Sequence, residues 1–335
     1  MIISAPPQDP AAPSLEDLDP VDAAELREVQ VPSELQGQRL DRVLAQLVPE
    51  FSRSYLQQLI EQGAVSLEGR PATKASAKVR WGSTLAVEMR ETPQSQAFVP
   101  QSMPIETVYE DPHLRVIHKP AGLVVHPAPG HWRGTLLNGL LALDPATLSL
   151  PRAGIVHRLD KDTSGLMVLA RTRASMDALV GMIAAREVQR QYLAIARGPW
   201  RHPETVEVEQ AIGRDPANRL RMAVVDLQRQ SGKAARTTVH LLEQSAQACL
   251  VRCHLHTGRT HQIRVHMAWL GHPLWADTLY GGPGLEGLQR QALHAWRLAF
   301  AHPVTGEPLV FHSPLPQDLQ QALSALGLSY NEAQP

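Results

Sequence analysis

The sequence predicts an α+β protein with two domains of unequal size. Three observations carry that expectation. Residues 35–92 read as helix, helix and short strands, a small ααβ unit. Residues 93–104 (PQSQAFVPQSMP) are proline-rich and lack periodicity, as a linker does. From Ile105 onward strand-like runs outnumber helical ones without a strict βαβ alternation, which argues against a parallel α/β fold.

In the small unit, Leu40, Val43, Leu44 and Leu47 recur at the spacing of one helix face. Leu56, Leu59 and Ile60 do the same in a second helix, which Gly63 ends. Ala64–Leu67 and Thr84–Val87 read as strands, with a turn at Glu68-Gly69-Arg70 after the first. Ahead of them, residues 1–34 are rich in Pro, Ala and acid and are expected to be a disordered acidic tail. Of 32 bases and 33 acids in the chain, one base and seven acids fall within residues 1–30. The formal charge of −1 therefore hides a basic remainder. Arg strongly outnumbers Lys, and Arg suits bidentate phosphate contact and stacking. That bias permits RNA binding without proving it.

In the larger unit, Leu114–His118 and Leu166–Ala170 read as buried strands, and Arg190–Arg197, Thr237–Leu242 and Cys249–Leu255 alternate. Ala174–Arg186 is an amphipathic helix with Met176, Leu179, Val180 and Ile183 on one face. Cys249 and Cys253 share one face of a strand as apolar fillers and are too few for a disulfide framework. The first residues lack the basic and apolar regions of a signal peptide, and no apolar run reaches about 18 residues. A cytoplasmic protein with no membrane partner is expected.

Four segments look able to carry chemistry. In Gly154–Ala170, two apolar runs flank His157, Arg158, Asp160, Lys161 and Asp162, so a sheet would bury the flanks and leave the charged centre in a loop. A carboxylate among bases stays ionised, as a nucleophile requires, although a surface ion-pair turn has the same composition. In His254–Ala268, Thr257-Gly258 turns into a helix expected to begin near Arg259 or Thr260. Arg259 is then placed to pair a carboxylate from another loop, or simply to face solvent. His261 and His266 are five apart, without the spacing or the adjacent Glu of a zinc helix, so no metal is expected. Lys119 stands beside a Pro120-Ala121-Gly122 turn, and Tyr192 lies on the strand face opposite Leu193 and Ile195. That ring is suited either to stack a base or to pack in the core.

At these segments the chain resembles the RNA pseudouridine synthases of the large-subunit ribosomal RNA family, closest to their D-type branch. His157-Arg-Leu-Asp-Lys-Asp-Thr-Ser-Gly-Leu166 is the most specific stretch, followed by Leu255–Ala268, Lys119–Leu123, Asn218–Met222, Asp277…Tyr280-Gly281 and Gln291–His294. Gln191, where a charged residue is more usual, and Trp275, where a small or aliphatic one is, depart from the pattern. Arg39-Leu-Asp41, Ser52-Arg-Ser54, Gly63-Ala-Val65, Lys74 and Val79…Gly82 resemble the ribosomal-protein-S4-like RNA-binding domain.

The resemblance implies an RNA-binding domain over 35–92 and a catalytic domain over 105–325. The latter would hold a mixed, largely antiparallel sheet flanked by helices and loops, with 326–335 as a C-terminal tail. It implies Asp160 as nucleophile, Arg259 as its partner and Tyr192 stacked on the target uracil. Arg158 would fill the space of the flipped base, and Arg53, Lys74, Lys78 and Lys119 would contact RNA. The expected substrate is large-subunit ribosomal RNA at the helix-69 stem-loop, free or in a pre-ribosomal particle, acted on by a monomer without cofactor. The rival readings are a synthase for transfer RNA or another ribosomal site, a non-catalytic RNA chaperone, and a nucleoside glycosidase. The last commonly needs a second carboxylate at a set distance, and Asp162 is too near in sequence to be an obvious one.

Overall fold

The computed structural model describes residues 26–49, 53–89, 95–128, 131–218 and 220–331. Its backbone contacts divide into two units, with the boundary between Gln96 and Ala97.

The first unit contains β1 (Leu26–Gln30), α1 (Leu40–Leu47), α2 (Arg53–Glu61), β2 (Val65–Leu67), β3 (Arg70–Pro71) and β4 (Thr84–Glu88). Its sheet runs β1-β4-β2-β3. The helical periodicity has its expected consequence: Leu40, Val43, Leu44, Leu56, Leu59 and Ile60 are all buried against Val65, Leu85 and Val87. Strand β1 corrects the expected extent of the tail. It pairs antiparallel along its whole length with β4, so ordered chain begins well before residue 35. Residues 1–25, the bulk of the expected tail, lie outside the described residues.

The second unit is built on nine strands: β5 (Glu106–Glu110), β6 (Leu114–Lys119), β7 (Ser164–Ala170), β8 (Gln189–Arg197) and β9 (Thr205–Val208), then, after a separate three-stranded sheet, β13 (Thr237–Gln244), β14 (Ala248–Leu255), β15 (Leu293–Ala301) and β16 (Pro308–His312). The separate sheet is β10 (Ile212–Arg214), β11 (Met222–Val224) and β12 (Gly232–Lys233). The large sheet runs β5-β6-β7-β15-β8-β14-β13-β9, with β16 extending the edge of β15. Only β15 and β7 pair in parallel, so the sheet is mixed and largely antiparallel. Gly165 makes that contact possible, because a Cβ there would lie 2.2 Å from the Ala295 carbonyl oxygen.

Strand alternation sorts the core into two sides. Met167, Leu169, Tyr192, Ala194, Cys249, Val251 and Cys253 face one side, where α3 (Leu136–Leu143) and α5 (Gln262–Trp269) pack. Leu166 and Val168 face the other, covered by α4 (Arg173–Ala185), as do Leu193 and Ile195, covered by α6 (Gln317–Ala325). Both cysteines are buried and free, on the same face as expected. Val180 was expected inward on α4 but is 47% exposed, because the helix turns Met176, Leu179, Met182 and Ile183 toward the sheet instead.

Both expected flanks are tighter than the composition implied. The side-chain amide of Asn138 donates to the carbonyls of Ala97 (3.3 Å) and Val99 (2.9 Å), so the second half of the 93–104 linker is tied to α3. Leu326 and Leu328 are buried beside α6, so the expected C-terminal tail begins as core. Residues 332–335 lie outside the described residues.

Candidate active site

The charged loop leads into β7, as its apolar flanks require. Leu159 is buried in the core below it. The loop backbone is fixed from several sides. The Thr163 N–H donates to the Asp160 carbonyl (3.1 Å) and the Gly122 N–H to that of Lys161 (2.9 Å). Arg290 Nη1 donates to the Asp162 carbonyl (3.2 Å), and Gln291 Nε2 to Thr163 Oγ1 (3.2 Å). The Asp160 side chain, 17% exposed, is left facing a cavity.

Lys119 belongs to this scaffold, which corrects its expected contact with RNA. It is fully buried. Its ammonium donates to the carbonyls of Pro120 (2.7 Å), Leu123 (3.0 Å) and Lys161 (2.9 Å). Burial pulls that ammonium down to about 7, while the carboxylates of Asp162 and Asp160 draw it back up. A side chain spent on three carbonyls under the loop offers nothing to a phosphate. Lys119→Met keeps the apolar stem and strips three acceptors of their donor. We expect about 2 kcal/mol lower stability and, through a looser Asp160 loop, turnover down about tenfold. Thermal melting and single-turnover kinetics read the two effects, and an unchanged melting temperature would contradict this role.

The expected Asp160–Arg259 pair is not formed. Helix α5 begins at Gln262, later than the sequence suggested, because His261 takes a left-handed backbone conformation (φ 56°) that delays it. The buried Gln262 amide accepts from the Arg259 N–H (2.9 Å) and from Thr257 Oγ1 (2.7 Å), folding the turn back on the helix. The Arg259 guanidinium then donates through Nε to the Ala234 carbonyl (3.0 Å). Arg264, on the first turn of α5, takes the expected place, with Nη1 3.4 Å from Asp160 Oδ2. Its other edge clamps Asp277 bidentately (Nε–Oδ2 2.7 Å, Nη2–Oδ1 2.8 Å), and its guanidinium carbon lies 5.0 Å from the Tyr280 ring centre. Asp277 is 1% exposed, so it fixes the arginine from below while Asp160 meets it from the cavity.

The cavity holds about 940 Å³ and brings together Asp160, Tyr192, Arg158, Arg259 and Arg264. Tyr192 is buried, flanked in register by the small side chains of Ala295 and Cys253. Burial pushes its hydroxyl up to about 12, so the ring is a neutral phenol at neutral pH. Arg158 is exposed at the rim. Among the described residues, Asp160 is the one acid lining the cavity, against six arginines. No group of three or more His, Cys, Asp or Glu among the described residues is placed to hold a metal.

A cavity lined by arginines and an acid suits chemistry on a polyanionic substrate such as RNA. A family model described as RNA pseudouridylate synthase matches residues 113–269, and an S4 domain model matches 38–85. A protein of Neisseria meningitidis serogroup B named ribosomal large subunit pseudouridine synthase D is 48% identical over 309 residues, covering 89% of this chain and 81% of its own. Its namesake in Xanthomonas campestris pv. campestris is 46% identical, covering 92% and 94%. The chain belongs to the RNA pseudouridylate synthase family. Among solved structures, human RNA pseudouridylate synthase domain containing 4 matches this synthase with a TM-score of 0.53 and 26% identity, covering 67% of the chain and 94% of its own.

In the S4 domain of the synthase, Lys74 and Lys78 are exposed. Arg53 is half exposed but committed to Asp41 (2.6 Å), which is buried and also accepts from Arg39 (3.0 Å) and Gln57 (2.7 Å). These bonds, that from Arg39 foremost, hold the Asp41 carboxyl well below the usual carboxylate range. Arg53 is thus part of the domain's own framework. No helix among the described residues is long and apolar enough to cross a membrane.

Proposed function

We propose that this RNA pseudouridine synthase isomerises uridine in large-subunit ribosomal RNA, at the helix-69 stem-loop, with Asp160 as nucleophile. The observation that carries the chemistry is Asp160, ion-paired to Arg264 and lining the same cavity as Tyr192. The names of the relatives support the ribosomal target. The reaction breaks the bond between uracil N1 and ribose C1′, turns the base, and joins C5 to C1′. The C5 proton is lost and N1 gains one, so no redox partner is required. Asp160 attacks the nucleoside at C1′ or C6, stays bonded to it while the base turns, and leaves again as a carboxylate when the C5–C1′ bond is made. Tyr192 stacks the uracil as a neutral ring, and the enclosing walls keep water from intercepting the open intermediate. The uridine must first leave its stack, at a cost of roughly a few kcal/mol. Arg158, exposed and lining the cavity, would enter the vacated space. The enzyme works as a cytoplasmic monomer on free RNA or on a pre-ribosomal particle.

Mapping pseudouridines in large-subunit RNA incubated with the purified protein tests this reading. Modification at the helix-69 loop supports it, and modification of transfer RNA alone overturns the target. For the S4 domain, Lys74→Ala with Lys78→Ala should weaken RNA binding about tenfold at low salt and flatten its salt dependence by about two phosphate contacts. Turnover at saturating RNA should stay unchanged.

A further inference from the structure

Four arginines are buried among the described residues: Arg115, Arg190, Arg264 and Arg290. Three have a carboxylate: Arg115 has Glu110 (2.8 Å), Arg264 has Asp277 (2.7 Å) and Arg290 has Asp318 (2.7 Å). Arg190 is the exception. It is 6% exposed, and its Nε is sealed from solvent without a hydrogen-bond partner. Burying a cation unpaired is costly, so a fold that keeps one has a use for it.

The position of Arg190 indicates the use. It stands on β8 two residues before Tyr192 and on the same face, about 7 Å along the strand. Both line the cavity. Its guanidinium runs beneath the Thr257-Gly258-Arg259 turn, where a Cβ on Gly258 would lie 3.0 Å from Nη1. Glycine at 258 therefore keeps this seat open. A second unused donor shares the cavity. His157 accepts the Val168 N–H at Nε2 (3.1 Å), which places its own proton on Nδ1, and Nδ1 is buried without a partner. Burial and the nearby charge of Arg190 push the imidazole down to about 3, so it is a neutral N–H donor.

We propose that Arg190 and His157 form a phosphate-binding subsite inside the cavity, which takes the backbone phosphate adjoining the extruded uridine. The proposal rests on the reading that this cavity receives a flipped uridine. Uracil is neutral and leaves a buried cation uncompensated, whereas a phosphodiester supplies the missing charge and matches the guanidinium fork. With the base on Tyr192, the ribose spans the step along β8 that separates the ring from Arg190. Binding would then fix the nucleotide at both ends.

The test uses the full-length protein and an RNA stem-loop carrying one neutral methylphosphonate, either 5′ or 3′ of the target uridine. Turnover of unmodified RNA by the parent checks the underlying reading, and its absence would be a failure of that reading. Given turnover, one of the two methylphosphonates should lower kcat/KM of the parent about 30-fold, and Arg190→Gln should lower it about as much on natural RNA. Combined, they should cost little more than either alone, as two ends of one contact do. Losses that multiply, as for a contact to a uracil carbonyl, or a parent indifferent to both methylphosphonates, overturn the subsite. Melting gives an independent reading. Arg190→Gln removes an unpaired buried charge, so its melting temperature should hold or rise, and a clear fall would show a structural arginine instead.

Discussion

Asp160→Ala should reduce pseudouridine formation by about 10⁴-fold or more while leaving RNA binding close to that of the parent. Among the described residues Asp160 is the one carboxylate lining the cavity, and Asp277 beside it is held by Arg264, so no neighbour is placed to substitute as nucleophile. The fold should tolerate the change. Arg264 keeps its bidentate partner Asp277, so no cation is orphaned. The loop backbone is held by Lys119, Arg290 and Gly122 through carbonyls, not through the Asp160 side chain. Removing one negative charge from an arginine-lined cavity also favours a polyanion, so binding has no reason to weaken. Asp160→Asn should behave alike, because an amide keeps the shape and loses the nucleophile. Single-turnover assays beside equilibrium binding separate the two effects. Turnover within about tenfold of the parent would remove Asp160 from the mechanism and with it the proposed chemistry.

Much of this site was legible before any coordinates, and the failures have physical causes. Asp160 was legible because apolar runs on both sides of a charged stretch force a loop at a strand end, and β7 begins four residues later. Tyr192 was legible because alternation along β8 fixes its face. The pairing role falls outside the expected Arg259 because turn residues alone do not fix where a helix starts. The left-handed His261 adds two residues before α5 and carries the pairing role on to Arg264, inside the same segment. A clue was present: Arg264 lies on the helix proper, where its direction is fixed, whereas Arg259 lies in a turn. The burial of Lys119 is hidden in the sequence, because a lysine beside a turn is usually solvated and nothing local shows that three carbonyls converge on it. Arg190 passed unnoticed because an unpaired buried charge is visible only once its surroundings are placed. Helix α3 and strand β15 were not read as elements. Both are buried nearly all round, which erases the one-sided periodicity that reveals an element in sequence.

Arg264→Ala should be the most damaging arginine substitution in the molecule, and Arg259→Ala among the mildest in the cavity. Asp277 is 1% exposed and would be left buried without its cation, which costs about 3–5 kcal/mol. Asp160 would lose its ion-pair partner, and turnover should fall by about 10³-fold. These two losses are separable. Arg264→Met combined with Asp277→Leu replaces the buried pair by apolar groups and should recover much of the stability. It should recover none of the activity, because Asp160 still lacks a guanidinium. Arg264→Lys keeps the charge without the fork that spans Asp277 and Asp160, so its activity should sit between those of the parent and of Arg264→Ala. Arg259, bonded to the Ala234 carbonyl, has no carboxylate to abandon, and its replacement by alanine should cost less than about tenfold. Melting curves beside single-turnover rates for the four variants give the ranking. Arg259→Ala proving the more harmful to turnover would mean that the turn swings onto Asp160 when RNA enters, and the pairing described for Arg264 would belong to the free enzyme alone.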